Sequence, residues 1–248
     1  MNNFFKAIII SLLVVMSAFM AVSCKKKEAQ QNSLYVGTNA EFAPFEYLDN
    51  GKIVGFDIDL INEIGKLIGK EIIIKNIAFD GLLPAMQAKK LDLIIAGMTA
   101  NDERRKSVNF STPYFTSKQA IIINNDNDKI TSFESLPNNN VGVVLGHTGD
   151  VIVTDIKDVN IQRYNASSEA IMALNSKKVD AVVIDFEPAK NYVKYNENLK
   201  LIETDLAQEE YSIAIPKDNP ALLEEVNKAL ETLKANGTYE ALLKKYFQ

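Results

Sequence analysis

The sequence predicts an α/β fold built as two lobes. Short apolar runs rich in Ile and Val alternate with stretches of helical periodicity, the signature of strand–helix–strand units. Several of those runs lack polar alternation, which suits strands covered on both faces of a parallel sheet. The closing stretch, 214–248, is mostly helical in pattern and too short to stand alone. It is expected to pack back on the first lobe, leaving two lobes joined by two crossings, with ligands held between them.

The elements follow in order. Residues 1–23 carry a charged start at Lys6, an apolar stretch from Ala7 to Val22 and small residues before Cys24, which together read as a secretory signal. Residues 24–33 are polar, beginning with Lys25, Lys26 and Lys27, and read as a tether. Strands are expected at LYVGT from Leu34, EIIIKNI from Glu71, LDLIIAG from Leu91, QAIIIN from Gln119, VGVVLG from Val141, DAVVID from Asp180 and YSIAIP from Tyr211. A helix is expected where Phe56, Leu60, Ile61, Ile64, Leu67 and Ile68 share one face, with Gly69 ending it. Another follows Ser167, marked by Ala170, Ile171 and Leu174. Asn219-Pro220 opens a third, as an N-cap with proline in the first turn, and Gly237 stops it. Lobe 1 is expected to comprise 34–116 and 213–248, and lobe 2 to comprise 119–209, with hinges near 114–119 and 208–213.

Composition narrows the chemistry. A net charge of −5 argues against a nucleic-acid partner. One Cys and one His leave no Cys-based zinc site and little for a His-centred metal cluster, so no metal and no cofactor is expected. Neither GxSxG, HExxH nor a P-loop occurs. Carboxylates, Arg, hydroxyls and backbone groups must carry the function.

Four segments concentrate such groups. In 37–65 a strand ends in a turn holding Asn39, Phe42, Pro44 and Phe45, followed by a glycine-containing hairpin and a helix opened by Gly55-Phe56-Asp57. FDGLLPAM, 79–86, places an aromatic before a helix. In 91–114 a buried strand ends at Ala96-Gly97, and Met98, Thr99 and a charged cluster with Arg104 and Arg105 follow. VGVVLGHTGD, 141–150, runs through Gly146-His147-Thr148-Gly149 into a helix, and it is paired with DAVVIDFEPA, 180–189, whose strand ends at Asp185. From composition alone Arg104 is equally a solvated charge, Asp185 a helix cap and His147 a polar loop residue.

Taken jointly, APFE, VGFDIDL, AGMT-x4-R, NFSTPY, VGV-x2-G and NGTYEALLKKYF resemble the bacterial extracellular amino-acid-binding proteins of ABC importers, the group serving glutamine, histidine and lysine/arginine. The resemblance covers 34–248 and implies the type II periplasmic-binding-protein fold: two α/β domains, two crossover strands, ligand in the cleft. It implies that Arg104 grips the ligand α-carboxylate and Thr99 binds beside it. Thr148 then serves the carboxylate from a helix start, and Asp185 takes the α-ammonium with the Gly97 carbonyl. Guanidinium suits a carboxylate because two parallel N–H donors meet two oxygens. Phe42 and Phe79 stand where the family sandwiches the ligand side chain, and His147 would line that end. Arg105 lacks such support and is expected at the surface.

The pattern departs from the family at informative places. Asn39 stands where glutamine and histidine binders carry Asp, Val144 where a glutamine binder carries Lys, and Ile184 where it carries His. These changes argue against glutamine and against a dibasic ligand, while Asn39 and His147 would suit a polar neutral or modestly apolar side chain. Glu41 or Glu46 could offer a carboxylate to a distal cation.

The segment before Cys24 looks like a lipobox, with Ala21 where Leu is commonest and Ser23 where Gly or Ala is. It implies lipidation of Cys24 and a lipid-anchored protein of the cell envelope. The expected partners are a free amino acid, a transmembrane permease and the membrane, with the protein a monomer. The expected role is non-catalytic capture and delivery. The alternatives are an enzyme of the cyclohexadienyl dehydratase type, with Glu41 as the candidate acid, and an amino-acid sensor subunit.

Overall fold

The structure is a computed structural model that describes residues 32–204 and 209–248. Cys24, the signal and most of the tether lie outside the described residues.

Two five-stranded sheets form the centres of the two lobes. In the first, β1 (Ser33–Thr38), β5 (Glu71–Asn76), β6 (Leu93–Ile94), β7 (Val108–Phe110) and β15 (Ala214–Pro216) lie in the order β5-β1-β6-β15-β7. In the second, β9 (Gln119–Asn124), β10 (Asn140–Val144), β11 (Asn160–Tyr164), β12 (Ala181–Asp185) and β13 (Leu199–Glu203) lie in the order β11-β10-β12-β9-β13. The chain passes between them twice, in β8 (Phe115–Ser117) and β14 (Glu209–Tyr211), which pair antiparallel. A small antiparallel sheet, β2 (Glu41–Phe42), β3 (Glu46–Asp49) and β4 (Lys52–Val54), projects from the first lobe.

Both large sheets are mixed rather than parallel, which corrects the expectation. β1, β5 and β6 run parallel, as do β10, β11 and β12. β15 runs antiparallel to β6 and β7, and β9 antiparallel to β12 and β13. The reason is where each strand begins. The parallel strands β6 and β12 end at the seam between the lobes. β9 and β15 follow directly from the crossing strands, start at that seam and must run away from it. Their apolar runs look parallel because both faces are buried, which says nothing of direction.

Other expectations shift locally. LDLIIAG is strand only at Leu93–Ile94, because the chain turns at Gly97, whose φ is +52°. YSIAIP is two strands, broken where the Ser212 N–H leaves the ladder to meet the Met98 carbonyl at 3.0 Å. β1 starts at Ser33, whose hydroxyl donates to Glu71, so the last tether residue belongs to the fold. β11 and β13 were not anticipated. They are the edge strands of the second sheet and carry mixed polar sequences, NIQRY and LKLIE.

Helices cover the sheets. They are α1 (Phe56–Leu67), α2 (Phe79–Gln87), α3 (Asp102–Arg105), α4 (Thr148–Thr154), α5 (Ser167–Asn175), α6 (Phe186–Lys194), α7 (Pro220–Ala235) and α8 (Thr238–Phe247). α1 buries Phe56, Leu60, Ile61 and Ile64, and Gly69 follows it with φ +67°. Its entry requires glycine, since a Cβ on Gly55 would stand 2.1 Å from the Phe45 carbonyl oxygen. Asn219 caps α7 by accepting the Leu222 N–H at 3.2 Å. Phe42, Phe45, Phe56, Tyr114, Phe115, Tyr211 and Phe247 form one ring cluster beneath the crossing strands, with Phe45–Phe115 centroids at 4.8 Å. A buried aromatic of this kind is worth about 3–5 kcal/mol on truncation.

Candidate functional site

The site lies at the seam, where strand ends of both lobes meet. Arg104 comes from α3, a single turn capped by Asn101, whose Oδ1 accepts the Arg104 N–H at 2.9 Å. The guanidinium is 7% exposed. Nη1 donates to the Thr99 carbonyl at 2.7 Å and Nη2 to the Gly146 carbonyl, across the seam, at 2.9 Å. Both partners are carbonyls, so the cation remains unneutralised by direct pairing and keeps donors to spare. Burial pulls its pKa down, while Asp185 and then Glu209 oppose that shift. The sequence left Arg104 and Arg105 as neighbours in a charged run. The structure separates them, with Arg104 buried and Arg105 exposed over the Phe110 ring.

Thr99 joins the lobes. Its hydroxyl accepts from the Thr148 hydroxyl at 3.1 Å and donates to Glu209 Oε2 at 2.6 Å. Thr148 is the first residue of α4 and His147 its N-cap position. Asp150 holds this loop, accepting the Gly146 N–H at 3.0 Å while pairing with Arg163 at 2.8 Å. Gly149 must be small, since a Cβ there would lie 2.9 Å from the Val183 carbonyl.

Asp185 ends β12 and occupies the N-cap position of α6, yet its side chain makes no capping bond. It accepts the Tyr211 hydroxyl at 2.6 Å instead. The capping role open to it on sequence grounds is therefore not taken. Burial, then the charge of Glu209, pushes Asp185 up to about 7. A carboxylate in that state gains greatly from an incoming cation.

The aromatic wall forms as expected in part. His147 sits 4.0 Å from the Phe79 ring centroid and 5.4 Å from that of Phe42, and Arg104 lies over Phe79 at 5.2 Å. Burial, then the nearby Arg104, lowers the His147 pKa to about 3, so the imidazole is neutral. Its Nε2 is buried without a partner among the described residues. A neutral ring with one free nitrogen can accept or donate one hydrogen bond to a ligand side chain.

Other expected residues contribute differently. The Asn39 Nδ2 donates to the Ile77 carbonyl at 3.2 Å. Ala96 and Met98 pack in an apolar cluster with Phe79 and Leu82, leaving only their backbone for a ligand. Gly97 is closely overlaid by Phe42, since a Cβ would stand 2.6 Å from that ring. Glu41 lies on the outer rim, where Ser168 of the opposite lobe donates to its carboxylate at 2.9 Å. Glu46 is fully buried in lobe 1.

Sequence reasoning missed Glu209, Gln119 and Tyr211. Gln119 donates to Glu209 Oε1 at 2.8 Å, so one buried carboxylate holds both Thr99 and Gln119. Glu209 and Tyr211 are two apart on β14 and share a face, which the period of two would have revealed once that strand was recognised.

A cation buried in one lobe, a carboxylate in the other and an aromatic wall between them define a two-lobed binding protein for a small zwitterion. The chain belongs to the family described as "Bacterial extracellular solute-binding proteins, family 3", which it matches over residues 34–248. It is 34% identical over 253 residues to the "Probable histidine-binding protein" of Campylobacter jejuni, covering 97% of this chain and 98% of that one. It is 34% identical over 226 residues to the "Arginine-binding extracellular protein ArtP" of Bacillus subtilis, covering 89% of this chain and 88% of that one. Among solved structures, an ancestral arginine-binding protein bound to arginine superposes with a TM-score of 0.86 at 44% identity, covering 88% of this chain and 99% of that one. Those relatives are named as binding proteins. No helix among the described residues is long and apolar enough to cross a membrane.

Proposed function

We propose that this protein captures a polar L-amino acid by closing its two lobes and delivers it to the permease of an ABC importer. The observation that carries this reading is Arg104, buried and bonded to carbonyls, in the same seam as the proton-hungry Asp185. A ligand α-carboxylate supplies the anion that Arg104 lacks, and its α-ammonium supplies the cation that Asp185 lacks. Thr99, Thr148 and the Gly97 carbonyl complete the grip. Phe42, Phe79 and the free nitrogen of His147 receive the side chain. A ligand touching both lobes favours closure by its difference in affinity between the open and closed states.

The names of the relatives, histidine- and arginine-binding, support side chains with N–H donors, which the acceptor capacity of neutral His147 would suit. The rim position of Glu41, away from the aromatic wall, supports a non-catalytic role over a cleft dehydratase. Lipidation at Cys24, anchorage in the envelope and a monomeric state belong to the same proposal.

The test is a thermal-shift panel on chain that has been unfolded and refolded to strip carried-over ligand. Arginine, histidine, glutamine, cystine and the other common L-amino acids are each added. A ligand that binds only the native state raises the melting temperature. A rise with one or a few of them is expected, and no rise with any would overturn the proposal.

A further inference from the structure

Two carboxyl groups in lobe 1 lie outside the ligand-gripping set and pair with no cation among the described residues. Glu46 opens β3 and Asp57 is the second residue of α1, and both side chains are completely buried. Asp57 Oδ2 accepts the Gly97 N–H at 2.9 Å and the Tyr114 hydroxyl at 2.7 Å. Its Oδ1 and both oxygens of Glu46 have no donor among the described residues. The two are neighbours in the fold, since the Asp57 N–H donates to the carbonyl of Phe45, the residue before Glu46, at 2.9 Å, and each carboxyl acts on the other's charge state. Two buried carboxylates side by side would repel and leave three lone oxygens. One proton between them removes the repulsion and gives Asp57 Oδ1 a donor.

We propose that Glu46 and Asp57 share one proton at neutral pH, Glu46 as the acid and Asp57 as the carboxylate, and that this pair positions Gly97 to face the ligand. The assignment follows from the donors. Asp57 already receives Gly97 and Tyr114, which favour its ionised form, whereas Glu46 receives nothing. Burial, then the Asp57 charge, accordingly drives Glu46 well above the carboxylate range, while Asp57 rises only to about 6. The other titratable groups facing the pair are Tyr114, Tyr239 of α8 and, more distantly, Asp185, and all are acids. The consequence reaches the site through Gly97, whose N–H is held by Asp57 while its φ of +52° and the Phe42 ring leave it one conformation. Glu46 and Asp57 are positioning residues. Their role in binding rests on the ligand-facing reading of Gly97.

The test combines spectroscopy with affinity. Infrared difference spectra at pH 7 compare the chain with its Glu46→Gln variant, both carrying Asp185→Asn to silence the other buried acid. A neutral carboxylic-acid carbonyl band, shifted in D2O and missing from the Glu46→Gln chain, is expected. Absence of that band overturns the shared proton. Calorimetry with L-arginine, L-histidine and L-glutamine then compares Glu46→Gln, which keeps a donor to Asp57, with Glu46→Leu, which does not, in chains that keep Asp185. Glu46→Gln is expected within about threefold of the parent and Glu46→Leu about tenfold or more weaker, the scale of one lost bond to a charged group. On the alkaline side, where the ligand ammonium deprotonates, both chains should lose affinity, and the parent should lose more than Glu46→Gln because Glu46 also ionises. Equal losses in both variants overturn the positioning role. If the parent binds none of the three and no other amino acid, the functional reading fails and takes the positioning role with it, while the infrared band still decides the proton.

Discussion

The lobes touch at two depths, and the two contacts are built differently. Deep in the seam, Arg104 reaches the Gly146 carbonyl at 2.9 Å and Thr148 reaches Thr99 at 3.1 Å, among buried charges. At the rim, Ser168 donates to Glu41 at 2.9 Å and Tyr192 reaches the Glu41 carbonyl at 3.4 Å, beside solvent. In the proposed function the deep groups engage the zwitterion and so couple closure to the ligand. The rim groups are satisfied within the protein, so they favour closure whether or not a ligand is present. Low dielectric makes each deep charge count for more than its rim counterpart.

Several variants can break or sharpen that contrast. The largest effect is expected from Arg104→Ala, which should weaken amino-acid binding by about 2–5 kcal/mol in calorimetry, the range for truncating one partner of a buried charge pair. Near parental affinity would remove Arg104 from the site.

The pH dependence comes next. Asp185 binds more protons folded than unfolded between its ordinary 3.8 and about 7, so its contribution to the stability of the unliganded chain falls as pH rises through that window. The ligand ammonium needs the ionised form, so affinity should instead rise, by about tenfold per pH unit toward pH 7 for one displaced proton. A flat profile with a non-titrating ligand would argue against contact with Asp185. Glu209→Gln removes the neighbouring charge that helps raise Asp185. It should move the midpoint of that profile down by about 0.5–1 unit. An unmoved midpoint would mean that burial alone sets it.

The smallest effect is expected from Glu41→Ala. It should cost about 0.5–1.5 kcal/mol of affinity, the worth of one partly exposed hydrogen bond, mostly as faster dissociation in stopped flow. A loss as large as that of Arg104→Ala would erase the distinction between depth and rim.

Much of the candidate site was legible only in the joint motif pattern, because each segment alone leaves Arg104, His147 and Asp185 with ordinary alternatives. The spacing of Gly97, Thr99 and Arg104 spans one turn after a buried strand, and the structure places all three at the seam. His147-Thr148 and Asp185 were legible because each follows an apolar strand at its C-terminal end, where α/β sheets present ligands. Asn39 was singled out from its place in the family pattern, and its Nδ2 also serves the fold by donating to the Ile77 carbonyl. Glu209 was invisible, because its partners Thr99 and Gln119 lie 110 and 90 residues away.

By itself the sequence determined where strands and helices form, because period, caps and glycines act over a few neighbouring residues. Asn219 and the face of α1 are settled within their own segments. It also determined the stock of chemistry: carboxylates, one buried guanidinium and one imidazole. Only the tertiary structure decided strand direction at the crossings. Only it decided that Glu41 lies at the rim while Glu46 lies beside Asp57. Those outcomes depend on burial and on partners distant in the chain, and the charge state of a carboxyl is set by what surrounds it rather than by the residues beside it.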